Sequence, residues 1–249
     1  MKRAICTSIW LFVAIALPAA QSQKTQPQKK TESFWAKVLR IAGVSTTPAS
    51  LRGDDQVTSG DIWWVTVTEK AVPQRLTRGG GYYSPVFDAP GETVLALKSS
   101  DLYRVSLSGD PPVKLHTVAG VTKLVGLNRD DPDQVLVVGE DIQQHLPFAA
   151  LLSIPSGRLV VIPHNPDSSE DQVMLAHLSG WERIYGGTRV YTEKNEKEGP
   201  GGTTLEFSDV YLKRVSDPPI NLTNGNRLSS SQPSLSADGQ KVVFIRGER

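Results

Sequence analysis

One segment occurs twice in this chain in the same register, and that recurrence constrains the fold more than any other feature. Asp61-Ile62-Trp63 opens the first copy, which reaches Leu76-Thr77, Ser84-Pro85, Gly91 and the apolar run Val94-Leu95-Ala96-Leu97. Asp209-Val210-Tyr211 opens the second, which reaches Leu222-Thr223, Gln232-Pro233, Gly239 and Val242-Val243-Phe244-Ile245. From the Asp, the Pro stands at +24, the turn Gly at +30 and the first strand Val at +33 in both copies. A third, blurred copy starts at Asp101-Leu102-Tyr103, forty residues after the first. Short β-patterned runs repeating near forty residues imply a β-propeller, because each unit is one small sheet that can bury its faces only against its neighbours.

Each full unit reads as four antiparallel strands. The innermost ends in a polar turn such as Asp88-Ala89-Pro90-Gly91 or Ser236-Ala237-Asp238-Gly239, and the second is continuously apolar, as a strand buried on both faces must be. Residues 82–118, 121–163 and 172–224 then make three blades, the last with a long insertion. The remainder is complementary: the stretch from Asp61 supplies strands three and four, and the stretch from Pro233 supplies strands one and two. The expectation is an all-β propeller of about four blades, in a closed or incomplete ring, with one blade shared between the two ends. Val242 to Ile245 should then pair with Ile62 to Thr68, which hides sheet edges that would otherwise need protection.

The region before Asp61 has another character. Lys2 and Arg3, the nine apolar residues Ile9 to Leu17, and Pro18-Ala19-Ala20-Gln21-Ser22 have the order of a secretory signal peptide, expected over residues 1–22. Nine apolar residues are too few to span a bilayer, which takes about 20 in a helix. Residues 23–58 are a polar linker with a short helix at 33–42, where Ser33 caps and Phe34, Val38 and Ile41 fall at helical spacing. The propeller occupies 59–249. A periplasmic or secreted location follows, with no stable membrane insertion once the signal is cut.

Composition narrows the function classes. The single cysteine, Cys6, lies in the signal, so the remainder holds neither a disulfide nor a thiolate metal site and must rest on its core. Without Lys2 and Arg3, 25 basic side chains face 26 acidic ones, a balance that argues against a nucleic-acid groove. His116, His145, His164 and His177 are scattered rather than paired, and Asp130, Asp131 and Asp133 lack the spacing of a calcium loop, so neither a metal nor a cofactor is expected. Asp61, Asp101 and Asp209 recur at one structural position, which points to a shared task in the backbone.

The residues Asn221-Leu222-Thr223-Asn224-Gly225 and Gln232 to Phe244 resemble the repeat of TolB-type periplasmic β-propellers: Leu-Thr, a short loop, Ser-Pro, an apolar residue, Ser-Pro-Asp-Gly-Lys and an apolar strand. The match is good at Leu76-Thr77 and Ser84 to Leu97, while the units at 121–138 and 172–192 have lost both the Pro and the turn Gly. The resemblance covers about residues 56–249. It implies a scaffold that binds proteins. The same repeat occurs in propellers of prolyl-oligopeptidase-like proteases, but no Gly-x-Ser-x-Gly elbow is present and no enzyme is expected.

Loop length points to the binding face. Loops after strands two and four emerge on one side, and most of the long polar ones fall there, at 139–147, 163–171 and 193–206, joined by 79–83, while 179–187 is the exception on the other side. The residues selected on that side are Tyr82, Tyr83, His145, His164, Asn165, Asn195 and Asn226. The leading expectation is a non-catalytic exported scaffold that binds a protein or peptide of the cell envelope. The alternatives are a propeller enzyme or carbohydrate-binding module with a central-channel site, and a fragment completed by a partner chain in an oligomer.

Overall fold

The computed structural model describes Val38 and residues 59–68, 71–89, 91–165, 167–179, 184–185, 187–198, 200–224 and 228–247. All of them belong to one compact unit, Glu32–Arg249. The expected signal at 1–22 and the linker lie outside the described residues, apart from Val38, which is helical and fully buried.

Among the described residues, sixteen strands form four antiparallel sheets of four. Strands β3 (Tyr82–Phe87), β4 (Thr93–Lys98), β5 (Asp101–Ser106) and β6 (Val113–Thr117) make blade I. Strands β7 (Val121–Leu127), β8 (Gln134–Glu140), β9 (Pro147–Ser153) and β10 (Leu159–Val161) make blade II. After helix α1 (Ser169–Ser179) come β11 (Ile184–Tyr185), β12 (Thr188–Glu198), β13 (Thr204–Lys213) and β14 (Ile220–Asn221) of blade III. The closing blade has the order β15 (Ser229–Leu235), β16 (Lys241–Gly247), β1 (Asp61–Thr66) and β2 (Gln74–Arg75).

The shared blade forms as the repeat register requires. Ile62 pairs with Ile245, Trp63 with Phe244, Trp64 with Val243 and Val65 with Val242. Gly60 extends the seam into blade I by exchanging two hydrogen bonds of 2.9 Å with Tyr82. Only glycine fits there, since a Cβ would lie 2.6 Å from the Arg246 carbonyl oxygen.

Second strands are continuously apolar because their two faces enter different cores. Val94 and Ala96 of β4 join the cluster shared with the closing blade, whereas Leu95 and Leu97 join the one shared with blade II. In β16, Val243 and Ile245 face blade I, and Val242 and Phe244 face blade III. The blades therefore stack in the order III, closing, I, II. Among the described residues no buried cluster joins blade II to blade III. The far face of blade II is covered instead by Leu175 and Leu178 of α1 and by Val38.

Helix α1 replaces an expected strand. The repeat register makes 172–178 the start of blade III, yet these residues are helical and the inner strand shrinks to Ile184–Tyr185. Gln172, Met174, Leu175 and Ala176 are good helix formers. The Ser168 hydroxyl accepts from the Asp171 amide, and Glu170 and Asp171 fill the first turn, where the helix dipole favours acids. Without the Pro and turn Gly of the repeat, nothing local opposes this outcome.

Where the Pro is retained, the inner strand bulges. Ser84 and Gln232 each precede it with φ of 53° and 52°, in a region L-residues rarely occupy, and the ladder slips at both sites. Hydrogen bonds between blades offset that strain. The Ser84 amide donates to the Gln232 side chain, and the Ser84 hydroxyl accepts from the Leu124 amide at 2.8 Å. At Leu124 an apolar, fully buried side chain ends this relay from blade to blade.

Candidate binding faces

The topology assigns each connection to one of two faces. Loops after second and fourth strands form the loop face, and turns after first and third strands form the turn face. The six described residues selected from the sequence belong to strand ends or loops on the loop face, but in different settings.

Tyr82 is core. It is 5% exposed, packs edge-on against Tyr103 at 5.7 Å, and carries the Lys98 ammonium 4.7 Å from its ring centroid. Burial, reinforced by Tyr103 and Asp61, pushes its phenol above the usual range. Its neighbour Tyr83 points to the opposite side of the strand, half-buried, and donates its hydroxyl to the Ser99 carbonyl.

His145 tips the β8–β9 loop, highly exposed, with Nδ1 2.8 Å from Glu140 Oε1. Asp141 organises that loop by accepting the Gln143 and Gln144 amides, which hold its carboxyl below the usual range. His164 and Asn165 lead into α1; the Asn165 amide donates to Asp171, and its side-chain oxygen accepts from the Asp167 amide. Asn226 lies outside the described residues.

Asn195 belongs to an internal network. Its Nδ2 donates to Asp209 Oδ2 at 3.1 Å and to the Tyr211 hydroxyl at 3.2 Å, and Asn221 makes the same two contacts from the other side. This network elaborates a clamp present in three blades. Thr77, Thr117 and Thr223 each donate a hydroxyl to Asp61, Asp101 and Asp209, at 3.1, 2.8 and 2.7 Å. Thr77 and Thr223 also accept the amides of Ile62 and Val210, so the clamp ties the third strand to the end of the fourth. Arg75 and Lys114 neutralise the first two carboxylates, whereas Asp209, buried, takes neutral amides and the field of Arg246. Burial lowers the Arg246 pKa against the opposing pull of Asp209. Its guanidinium lies 5.2 Å from the Trp63 ring centroid and donates to the Thr223 carbonyl. The recurring Asp thus holds backbone together, and its repetition in the sequence is structural.

Residues 193–206, expected as a loop, are mostly sheet. Among the described residues β12 and β13 stay paired out to Glu198 and Thr204, whereas β11 pairs with Thr188 and Arg189 and β14 with Tyr211 and Leu212. The result is a two-stranded ribbon on the loop face, closed by a turn with Gly201 and Gly202 at positive φ. Alternating charge at Glu193, Lys194, Glu196 and Lys197 blunts its edge against self-pairing.

The turn face holds what sequence reasoning missed: a cleft of about 710 Å³ between blades I and II. No local motif announces it, because its walls come from separate turns and from two blades. Among the described residues, no group of three or more His, Cys, Asp or Glu is placed to hold a metal ion. No described helix is long and apolar enough to cross a membrane.

No family model matches the sequence, and no curated protein matches it. Similar solved structures include TolB proteins, acylaminoacyl peptidases and a protease propeller domain. One described as a TolB of Agrobacterium tumefaciens is 17% identical with a TM-score of 0.36, covering 73% of this chain and 59% of its own. TolB from Acinetobacter baumannii is 14% identical at 0.33, covering 76% and 47%. The β-propeller domain of the Trilobed protease from Pyrococcus furiosus is 12% identical at 0.29, covering 77% of each chain. This chain thus spans about half to three-fifths of the length of the two TolB structures.

Proposed function

We propose that this chain is a non-catalytic, exported β-propeller that binds a protein or peptide partner of the cell envelope through its loop face. The observation that carries this reading is the ribbon. It extends past the blade that anchors it, Leu205 is exposed near its tip, and its base is fixed by the Asn195–Asp209–Asn221 network. A rigid scaffold presenting one long element that, among the described residues, pairs with no further strand is the arrangement recognition surfaces use. Export rests on the order of charge, apolar run and small residues in the first 22 positions.

The test keeps the base of the ribbon. Residues 196–206 are replaced by an Asn-Gly turn joining Asn195 to Phe207, which are directly paired in the native register. Affinity capture from envelope extract should recover a specific partner with the parent chain and lose it with the shortened one, at unchanged melting temperature. Equal capture by both would overturn the assignment to this face. Recovery of the chain in the cytoplasm at its full precursor mass would overturn export.

A further inference from the structure

The cleft on the turn face has the composition of a ligand site. Its volume of about 710 Å³ falls within the range of small-molecule and peptide pockets, about 300–1,000 Å³. Leu115, Ile154, Pro155 and Pro132 supply apolar wall, and Arg104 and Lys114 supply cations.

The two cations differ in what they can still bind. Lys114 is engaged by Asp101 at 2.8 Å. Arg104 is held through Nε alone, which donates to Asp88 at 2.8 Å, and Asp88 is fixed in turn by the Thr93 hydroxyl. Among the described residues the terminal nitrogens of Arg104 have no partner. They form a planar fork with a fixed direction, suited to two parallel hydrogen bonds to a carboxylate. The seam is also tied across the two blades. His116 of blade I meets the Ile154 carbonyl of blade II at 2.8 Å, and its ring fills the space a side chain at Gly157 would need.

We infer that this cleft binds a carboxylate attached to an apolar body, such as the C-terminus or an acidic side chain of a peptide, with Arg104 receiving the carboxylate. A phosphate dianion fits less well. Asp88 and Asp133 also line the cleft, and a second negative charge would be repelled there without a second available fork. The inference is independent of the ribbon, which lies on the opposite face.

The experiment titrates the full chain, isotope-labelled for NMR, with four probes: acetyl-Leu-Leu with a free C-terminus, the same dipeptide as its amide, acetyl-Leu-Asp-Leu amide, and inorganic phosphate. The free acid or the Asp peptide should shift the amides of Thr93, Leu115, His116 and Ile154, and whichever binds tighter identifies the source of the carboxylate. The plain amide and phosphate should bind at least about tenfold more weakly, as expected for loss of one charge-assisted hydrogen bond or more. Arg104→Lys, which keeps a cation for Asp88 but loses the fork, should weaken the acid by about tenfold at unchanged melting temperature. Arg104→Gln is the second variant if that one is destabilised, and should show the same loss. The inference is overturned by absence of binding, by the plain amide or phosphate binding as tightly as the tighter of the two carboxylate probes, by shifts confined to the loop face, or by unchanged affinity for that probe in a folded Arg104 variant.

Discussion

The closing blade and blade III carry the same local device in opposite settings. In both, an aromatic pair faces across the middle two strands with an arginine over a ring: Trp63 and Phe244 under Arg246, and Tyr191 and Tyr211, stacked at 5.8 Å, with Arg189 4.9 Å from the Tyr191 centroid. Blade III packs against the first pair, so Phe244 and Arg246 are buried. No buried cluster of the described residues covers the second pair, and its rings stay half-buried. Cross-strand pairing thus builds the device, while the neighbouring blade decides its energetic weight.

The largest separation should come from truncating the ring at equivalent positions. Phe244→Ala should cost about 3–5 kcal/mol in denaturant unfolding, as fully buried aromatics do, and Tyr191→Ala about 1–2 kcal/mol. Equal losses would mean that blade III is covered as fully as the closing blade. Next in size is the clamp. Asp209→Ala leaves the donors of Thr223, Asn195 and Asn221 without their acceptor and Arg246 without its counter-charge, and should cost about 3 kcal/mol. Asp101→Ala, at an exposed clamp, should change the denaturation midpoint only slightly.

Smaller still is the pH effect at that exposed clamp. Lys114 and Thr117 hold the Asp101 carboxyl below its ordinary value of 3.8, so its folded pKa is depressed relative to the unfolded chain. Its contribution is therefore complete above that value and is lost as pH falls through the lower folded pKa. Denaturant midpoints measured from about pH 5 to about pH 2 should fall less steeply for Asp101→Asn than for the parent. The smallest effect is expected from replacing residues 196–206 with the two-residue turn, which removes exposed ribbon and should leave the melting temperature within about 2 °C.

How much was legible follows the same division. The register of Ile62 with Ile245, the apolar second strands and the structural task of the repeated Asp all depend on short-range pattern, and pattern carries them. The start of blade III does not. The run from Gln172 to Leu178 suits a helix or a buried strand, and a serine cap with packing on blade II selects the helix. Periodicity also could not separate Tyr82 from Tyr83, because neighbouring strand residues take opposite sides and the sequence does not mark which side has a neighbour. The ribbon read as a loop since its charges alternate like solvated linker, and the cleft depends on which turns the blade stacking brings together.

Pairing of β1 with β16 has a temporal consequence. A chain made N-terminus first presents Asp61 to Thr66 long before Lys241 to Gly247 exists, so β1 must wait for β16. Blades I and II, each continuous in sequence, can form while synthesis proceeds, but the Trp63–Phe244 core cannot. Until β16 arrives, Ile62, Trp63 and Val65 form an apolar edge in need of protection, and completion of this blade is one long-range pairing that commits its two halves together.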